Sequence, residues 1–201
     1  MMPILALVAA YLIGAIPFGF LLVKWKTGGD IRSSGSGNIG ATNVVRTTGW
    51  KVGAATLALD IAKGYLAVWL AGQLTGGSEI WMPAAALAVM AGHAFPIFLR
   101  GRGGKAVASF TGAYLCLTPL PLVATAVVFI VMVAVTRHIS VGSVTGAAAF
   151  PLAVWLISHP PLPVTLAAIV SGAFIIYRHR ENLERLRAGT ENVFLPRRSQ
   201  R

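Results

Sequence analysis

Charged residues and cysteine are both scarce in this chain of 201 residues. Only 11% of the residues are charged, six are acidic, and Cys116 is the single cysteine. One cysteine excludes an internal disulfide and a cysteine-based metal cluster. Apolar residues make up 56% of the chain and the mean hydropathy is +0.73. This composition excludes a disordered chain, a nucleic-acid module and a water-soluble enzyme.

Several common catalytic signatures are also missing. The sequence has no CxxC, HExxH or GxSxG pattern, and its acidic residues are not clustered for a divalent metal. We therefore expect no metal site, and the acidic residues are too few for a two-carboxylate hydrolase. In a soluble protein, a net charge of +11 would indicate a nucleic-acid partner. In so apolar a chain it indicates a basic membrane face and no nucleic-acid partner.

Long apolar segments predict an all-α integral membrane protein with about seven transmembrane helices. An apolar helix crosses a bilayer in roughly 20 residues. The expected spans are residues 3–23, 52–71 and 80–99, two within 106–135, then 141–157 and 162–177. Residues 106–135 carry no charge and are too long for one crossing. Thr118-Pro119-Leu120-Pro121 is expected to divide them, because this sequence cannot continue a helix.

The basic residues predict how these spans are oriented. All of the 17 Lys and Arg except Lys63 fall in alternate connecting segments or after the last span, and the opposite segments carry none. Positive residues concentrate on the cytoplasmic side of membrane proteins. We therefore expect the N-terminus outside and the C-terminus in the cytoplasm. Residues 1–195 then form a single polytopic membrane domain, followed by a basic tail at 196–201.

Two of the cytoplasmic loops have the composition of phosphate-binding segments. The first, residues 33–43, combines three glycines with side-chain donors at Ser36, Asn38, Thr42 and Asn43. The cation Arg46 follows it. Such glycines expose backbone N–H groups, and Thr42 or Asn43 is expected to begin a helix whose N-terminus favours a phosphate. The second loop ends in Gly103-Gly104-Lys105, again glycines beside a point charge. A flexible linker and simple topology determinants are the alternative interpretations.

A few polar residues lie in or beside the apolar segments. Asp60 and Lys63 share a helix face at i and i+3, where they can neutralise each other. Such a pair marks a polar cavity or a structural ion pair between helices. His93 is expected to be a buried, hydrogen-bonded histidine. His179 and Asn182 share a face of the charged helix after the last span, for which an interfacial amphipathic helix is the alternative.

These segments together carry a more specific pattern. Its parts are Gly35-Ser36-Gly37-Asn38-Ile39-Gly40-Ala41-Thr42-Asn43-Val44-Val45-Arg46, Asp60-x-x-Lys63-Gly64, Gly92-His93-x-Phe95-Pro96, Gly103-Gly104-Lys105, Ser140-x-Gly142-Ser143, Arg178-His179-Arg180-Glu181-Asn182 and Gly189-x-Glu191. With this pattern the chain resembles the bacterial membrane acyl-phosphate:glycerol-3-phosphate acyltransferases over nearly its whole length. It departs from the family at Ala106, where we expect a glycine, and at Arg100-Gly101-Arg102, which is more basic than expected.

The resemblance implies transfer of a fatty acyl group from acyl phosphate to the 1-hydroxyl of glycerol 3-phosphate. The products are lysophosphatidic acid and inorganic phosphate, and no cofactor is needed. It also implies a multi-pass protein of the bacterial cytoplasmic (inner) membrane, surrounded by membrane lipid. We further expect a monomer that is functionally linked to the enzyme that forms acyl phosphate.

The family pattern also assigns roles to residues. Acyl-phosphate binding falls to Ser36, Gly37, Asn38, Thr42, Asn43 and Lys105. Glycerol-3-phosphate binding falls to Arg46, Lys105, Ser143, His179 and Asn182. Supporting roles fall to Asp60, Lys63, Arg178 and Glu181. His179 and Lys105 are the catalytic candidates, with His179 as the protein base. We favour substrate-assisted catalysis instead, in which a phosphate oxygen of the donor accepts the hydroxyl proton.

Two functions of other classes fit parts of the sequence. A membrane transporter for phosphate or another anion would suit several spans and a glycine-rich anion loop, but its polar groups should follow a path across the membrane. Here they gather on the cytoplasmic side. A scaffold that binds anionic lipid would explain the basic face but not the Asn, Thr and Ser donors beside it.

Overall fold

The computed structural model describes residues 1–194 and is helical throughout. Leu195 and the predicted basic tail at 196–201 lie outside the described residues. The ten α-helices of the described part are α1 (Met2–Ala15), α2 (Phe18–Thr27), α3 (Ala41–Thr48), α4 (Trp50–Thr75), α5 (Trp81–Ala94), α6 (Val107–Leu117), α7 (Pro119–Thr136), α8 (Ile139–Ser158), α9 (Leu162–Arg178) and α10 (Arg180–Arg187). Single 3₁₀ turns follow α2 at Ile31–Ser33 and α5 at Ile97–Leu99.

Prolines divide two of the apolar segments. Ile16 has φ −63° and ψ 113°, an extended conformation that separates α1 from α2. Thr118 has φ −145° and ψ 73° and separates α6 from α7, so the predicted break before Pro119 is confirmed. The residue before a proline avoids the helical conformation, and proline itself suits the first turn of the next helix. The sequence therefore determines both breaks locally.

Five helical segments are long and apolar enough to cross a membrane within residues 1–194. They are Met2–Thr27, Trp50–Thr75, Trp81–Leu99, Pro119–Thr136 and Ile139–Ser158. A sixth is formed by α9 and α10, which are bent by 50° at His179. The predicted fourth span corresponds to α6, which has 11 residues and is only about 16 Å long at 1.5 Å per residue. All seven expected spans are thus helical. How many of these helices cross the bilayer, and on which side of the membrane their ends lie, stay predictions.

Small residues allow the central helices to approach closely. A Cβ atom on Gly14 of α1 would overlap the backbone of Val89 in α5, and one on Gly92 of α5 would overlap the backbone of Tyr11. In the same way, Gly64 and Gly112 bring α4 and α6 into backbone contact. Close backbone packing of this kind is what holds helices together in lipid, where apolar burial alone gives no preference for a neighbour.

An aromatic cluster fills the centre of the helix bundle. Phe110 and Tyr114 of α6 pack against Phe150 of α8, with ring centroids 4.6–4.8 Å apart. The hydroxyl groups of Tyr114 and Ser171 are 3.0 Å apart and share a hydrogen bond, which satisfies both polar groups in the core. The cluster joins α6, α8 and α9 below the loops that carry the predicted phosphate-binding residues.

Candidate active site

One cavity of about 1410 Å³ contains most of the predicted site residues. Its polar end is lined by Ser36, Asn38, Thr42, Asn43, Arg46, Asp60, Lys105, Ser143, His179 and Asn182. Its apolar end is lined by side chains of α4, α6, α7 and α8, among them Leu57, Phe110, Leu122, Ala126 and Phe129. Pockets for small ligands usually measure about 300–1,000 Å³. The larger size and the division into a polar and an apolar end suit a lipid-like ligand with an anionic headgroup.

The first loop is held in shape by Asn43, which is only 2% exposed. Its side-chain nitrogen donates to the carbonyls of Ser34 (3.0 Å) and Asn38 (2.9 Å), and its oxygen accepts the Ser36 N–H at 2.9 Å. Gly35 and Gly37 have φ of +60° and +69°, a conformation that side chains rarely adopt. Asn43 therefore directs its polar atoms at the loop backbone, and the residues around it form the cavity wall.

A helix N-terminus completes this part of the wall. α3 begins at Ala41, one residue before the predicted Thr42 or Asn43, and Gly40 precedes it. Gly40, Ala41 and Thr42 line the cavity. No side chain caps this N-terminus. The Asn43 N–H donates to the Gly40 carbonyl at 3.0 Å, so the N–H groups of Ala41 and Thr42 are the ones that favour a negative group. Arg46 lies one turn later, with Nη1 3.4 Å from the Asn43 oxygen.

The second loop folds back onto the end of α5. The N–H groups of Gly103 and Gly104 donate to the carbonyls of Ala94 (3.2 Å) and His93 (3.1 Å). Arg178 of α9 donates to the Gly104 carbonyl at 3.0 Å. This loop places Lys105 in the cavity wall. Ala106, at the position where the resemblance predicts a glycine, has φ +63°, a left-handed conformation that glycine adopts more easily.

Lys105 and the final helix form a charged hydrogen-bonded chain. The Lys105 ammonium donates to the Asn182 side-chain oxygen, and the Asn182 nitrogen donates to Glu191 Oε1 at 2.6 Å. Arg185 Nε donates to Glu191 Oε2 at 2.8 Å. Burial lowers the pKa of Lys105 to about 8, against the opposing attraction of Glu191. Lys105 is therefore a cation at neutral pH but loses its proton in mildly alkaline solution.

His179 lies between α9 and α10 and is 3% exposed. Its Nδ1 is 2.8 Å from the Ile175 carbonyl. Because a carbonyl only accepts, Nδ1 carries the proton of the neutral ring and Nε2 is the acceptor. Burial, assisted by the Lys105 cation, lowers the pKa of His179 to about 4. The ring is consequently neutral at physiological pH, and it is a weak base.

Of the four residues with predicted supporting roles, Asp60 lines the cavity and the other three do not. Lys63 and Asp60 form the predicted ion pair at 2.8 Å, with Lys63 behind the cavity wall. Arg178 also lies behind the wall, where it contacts the second loop. Glu181 is exposed on α10 and its carboxylate is 3.9 Å from Arg180. Glu181 is thus far less closely connected to the cavity than Asn182, its neighbour in the sequence.

Comparison with known proteins identifies the family. The sequence profile of the family described as "Glycerol-3-phosphate acyltransferase" matches residues 4–189. The chain belongs to this family. The glycerol-3-phosphate acyltransferase of Geotalea daltonii is 46% identical over 191 residues, which cover 95% of this chain and 97% of that protein. That of Geobacter sulfurreducens is 47% identical over 185 residues, 92% of this chain and 94% of the relative.

Solved structures agree with the family assignment. The crystal structure of the integral membrane glycerol 3-phosphate acyltransferase PlsY in its glycerol 3-phosphate form has a TM-score of 0.91 and 36% identity, over 97% of this chain and 96% of that one. The lysophosphatidic acid form of PlsY has a TM-score of 0.88 and 35% identity, over 96% and 95% of the two chains. This glycerol-3-phosphate acyltransferase family member is therefore an integral membrane enzyme that transfers acyl groups. The transporter and scaffold alternatives are not supported.

Several polar residues that line the cavity are absent from the predicted site, and two of them, Glu191 and His93, contact predicted site residues. Glu191 lines the cavity and holds Asn182 and Arg185 in place. The motif Gly189-x-Glu191 was a usable signal for it, because that carboxylate follows soon after the charged helix. His93 also lines the cavity, and the expectation that it is buried is confirmed by its 4% exposure. The expected hydrogen bond is not found among the described residues, since Nδ1 has no partner within hydrogen-bond distance and lies 3.6 Å from Asp60 Oδ1. The motif Gly92-His93-x-Phe95-Pro96 was the corresponding signal for His93, but its contact with Gly104 depends on how the second loop folds back.

Proposed function

We propose that the chain transfers a fatty acyl group from acyl phosphate to the 1-hydroxyl of glycerol 3-phosphate. The products are lysophosphatidic acid and inorganic phosphate. The observation that carries this proposal is the continuity of the cavity, whose cationic and amide-lined end opens directly into an apolar trough. An acyl phosphate has the same division between a phosphate headgroup and a hydrocarbon chain. Among the relatives, PlsY has crystal structures in a glycerol 3-phosphate form and in a lysophosphatidic acid form. These two molecules correspond to the proposed acceptor and product.

The two headgroups are assigned to opposite sides of the polar end. The acyl-phosphate headgroup is bound by the first loop, through Ser36, Gly37, Asn38, Thr42, Asn43 and Lys105. Glycerol 3-phosphate is bound by Arg46, Lys105, Ser143, His179 and Asn182. Arg46 suits phosphate because its guanidinium offers paired donors, while Lys105 is a mobile point charge that lies between the two sets. For Asn43, the hydrogen bonds within the loop favour a role in shaping the backbone around the headgroup.

The proton of the acceptor hydroxyl goes to the donor phosphate. The hydroxyl oxygen attacks the acyl carbonyl carbon, the bond from that carbon to the phosphate oxygen breaks, and the departing phosphate takes up the proton. The low pKa of His179, about 4, supports this route because so weak a base is poorly matched to reaction at neutral pH. His179 Nε2 is better suited to accept a hydrogen bond from the substrate hydroxyl and orient it.

The proposal extends to the cellular setting. The enzyme lies in the bacterial cytoplasmic membrane as a monomer, with residues 1–195 as one membrane domain and 196–201 as a basic tail. The site then faces the cytoplasm, where glycerol 3-phosphate is available in water. Acyl phosphate is reactive and hydrophobic, so a functional link to the enzyme that forms it is expected.

A phosphate-release assay with the purified protein in detergent tests the reaction. Palmitoyl phosphate together with glycerol 3-phosphate should release phosphate and form lysophosphatidic acid, whereas palmitoyl-CoA should not serve as donor. Lys105→Met should lower kcat/KM about tenfold to a hundredfold, since a hydrogen bond to a charged group contributes about 1.5–3 kcal/mol. Lys26→Met is the matched control, because Lys26 is an exposed cation outside the cavity. Turnover with palmitoyl-CoA alone as donor would contradict the proposal.

His179→Gln in the same assay separates the two proton routes. If the donor phosphate accepts the proton, this variant should retain part of its kcat while the KM for glycerol 3-phosphate rises. A collapse of kcat with unchanged binding of both substrates would instead identify His179 as the base.

A further inference from the structure

Three ionisable side chains form a buried cluster that phosphate binding does not require. Asp60 and Lys63 of α4 and His93 of α5 are 2%, 3% and 4% exposed. Asp60 Oδ1 is 2.8 Å from Lys63 Nζ and 3.6 Å from His93 Nδ1. Ionisable groups in a membrane helix are costly to bury, and their retention marks a function. The contacts at the two ends of this cluster indicate what that function is.

One end of the cluster leads to the first loop. Lys63 Nζ donates to the Ile16 carbonyl at 2.8 Å, at the break that Pro17 creates between α1 and α2. The following helix, α2, contacts the first loop directly, because a Cβ on Gly19 would overlap the Ile39 carbonyl. The position of α2, and with it the backbone that carries Asn38, is thus anchored to α4 through Lys63.

The other end of the cluster leads to the second loop. The His93 carbonyl accepts the Gly104 N–H at 3.1 Å. The His93 ring lies against the same residue, since a Cβ on Gly104 would overlap Nε2. Lys105 is the next residue in the chain. The orientation of the His93 ring beside Asp60 therefore determines how closely the second loop approaches α5, and where the Lys105 ammonium lies.

We propose that Asp60, Lys63 and His93 are positioning residues that set the separation between the first loop and Lys105. This inference rests on the proposed function, in which both loops hold phosphate groups. A single buried cluster in the cavity wall joins the two loops, so that neither loop moves independently of the other. Catalysis by positioning requires such rigidity, because small displacements of phosphate-binding groups cost large factors in rate.

The isosteric variant Asp60→Asn tests the cluster through the two Michaelis constants. It keeps the volume of Asp60 but removes the charge that joins Lys63 to His93. The KM values for palmitoyl phosphate and for glycerol 3-phosphate should both rise about tenfold in the protein that stays folded, as judged by size-exclusion chromatography. Lower activity with both KM values unchanged would mean only that less protein is folded, and would overturn the proposal.

A double-mutant cycle tests the contact between His93 and Gly104. Gly104→Ala should raise the KM for glycerol 3-phosphate about tenfold, because the added Cβ pushes the loop away from His93. His93→Ala removes the ring that the added Cβ would meet. The KM of the double variant for glycerol 3-phosphate should therefore lie within about threefold of the KM of His93→Ala alone, whereas two independent effects on KM would multiply. Gly29→Ala is the matched control, because a Cβ there makes only an ordinary contact with Thr27, 3.4 Å away. The proposal would be overturned if the increases in KM of the two single variants multiply in the double variant, or if Gly104→Ala has wild-type KM values.

The wild-type enzyme in the same assays distinguishes a failure of this inference from a failure of the proposed function. If wild type does not use palmitoyl phosphate, the proposed donor is wrong and the cluster is tested through the KM for glycerol 3-phosphate with the donor that is used. If wild type is active and both tests give unchanged KM values, the proposed reaction stands and the positioning role is wrong.

Discussion

Asn43 and Lys105 show how similar sequence signals lead to different roles at the scale of single residues. Each directly follows a glycine-rich loop, Asn43 in the first turn of α3 and Lys105 after Gly104, and both offer nitrogen donors. The Asn43 amide bonds three groups of its own loop, whereas the Lys105 ammonium reaches across to Asn182 on another helix. The loop of Asn43 is therefore shaped before any ligand arrives. Lys105 is the group whose charge state responds to its surroundings.

The lowered pKa of Lys105, about 8, predicts how substrate binding depends on pH. Proton loss removes the cation, phosphate binding weakens, and KM rises. The KM for glycerol 3-phosphate should therefore be constant up to about pH 7.5 and then rise by as much as tenfold per pH unit, well below the usual lysine pKa of about 10.4. Initial rates across this range, corrected for hydrolysis of the acyl phosphate without enzyme, measure the effect.

Lys105→Arg supplies the comparison for this pH dependence, because arginine stays protonated throughout the range. Its KM should be higher than that of wild type near neutrality but should not rise above about pH 8. A wild-type KM that stays flat to about pH 9.5 would show that Lys105 keeps an ordinary pKa when substrate binds.

At the scale of elements, interrupted helices bring the polar groups together. The bend of 50° between α9 and α10 occurs at His179, so this side chain and Asn182 face the cavity from a helix end. The polar end of the cavity also receives the N-terminus of α3 and the segment before α6. The apolar end is formed by uninterrupted stretches of α7 and α8, whose side chains face the trough or the bilayer.

The length of the trough predicts a limit on the acyl chain. Along α7 it extends from Val133 to Leu122, about 16 Å at 1.5 Å per residue, which is close to the ~15 Å depth of one leaflet. Ala126→Phe should place a ring across it. The KM for palmitoyl phosphate should rise about tenfold while that for a short-chain acyl phosphate changes little, since each excluded methylene loses about 0.8 kcal/mol.

Val131→Phe is the control for this steric effect. Val131 also lies on α7, is 51% exposed and does not line the cavity, so an added ring there should leave both KM values unchanged. If the two variants raise the KM for palmitoyl phosphate equally, or if Ala126→Phe raises the KM for glycerol 3-phosphate, the acyl chain does not occupy this trough.

At the scale of the whole molecule, basic residues from both ends of the chain lie in segments that adjoin the polar part of the cavity. Lys24, Lys26 and Arg32 follow the first apolar segment, and Arg180, Arg185 and Arg187 lie in α10. The cavity brings the first loop and α10 together, so both must lie at one membrane face. The positive-inside tendency predicts that this face is cytoplasmic.

Labelling of single cysteines in intact cells tests the orientation. In a Cys116→Ala background, Ser33→Cys and Glu184→Cys should be protected from a membrane-impermeant thiol reagent until the membrane is permeabilised. Glu79→Cys, on the opposite side in the prediction, should react at once. All three residues are exposed in the structure, so a difference in labelling reports the side of the membrane. Labelling of Ser33→Cys but not Glu184→Cys in intact cells would rule out a shared cavity.

Local chemistry allowed much of the fold to be predicted from the sequence. Apolar length predicted the helices, proline predicted the break before Pro119, and glycine beside neutral donors predicted the first loop. Asp60 and Lys63 were predicted to pair because they are one helical turn apart. Each of these features depends on residues that are close in the chain, so their covalent spacing already constrains the geometry. The resemblance to a known family supplied the roles of residues that are far apart.

Only the tertiary structure decided which distant groups meet. Lys105 reaches Asn182, Lys63 reaches the Ile16 carbonyl, and His93 lies against Gly104. The contacts of Lys63 and His93 arise because glycines bring α1, α4, α5 and α6 so close that groups on separate helices share one buried volume. The contact of Lys105 depends on the bend between α9 and α10, which directs Asn182 to the cavity. Composition and periodicity specify the faces of a helix, but which faces pack together depends on how all the side chains fit at once.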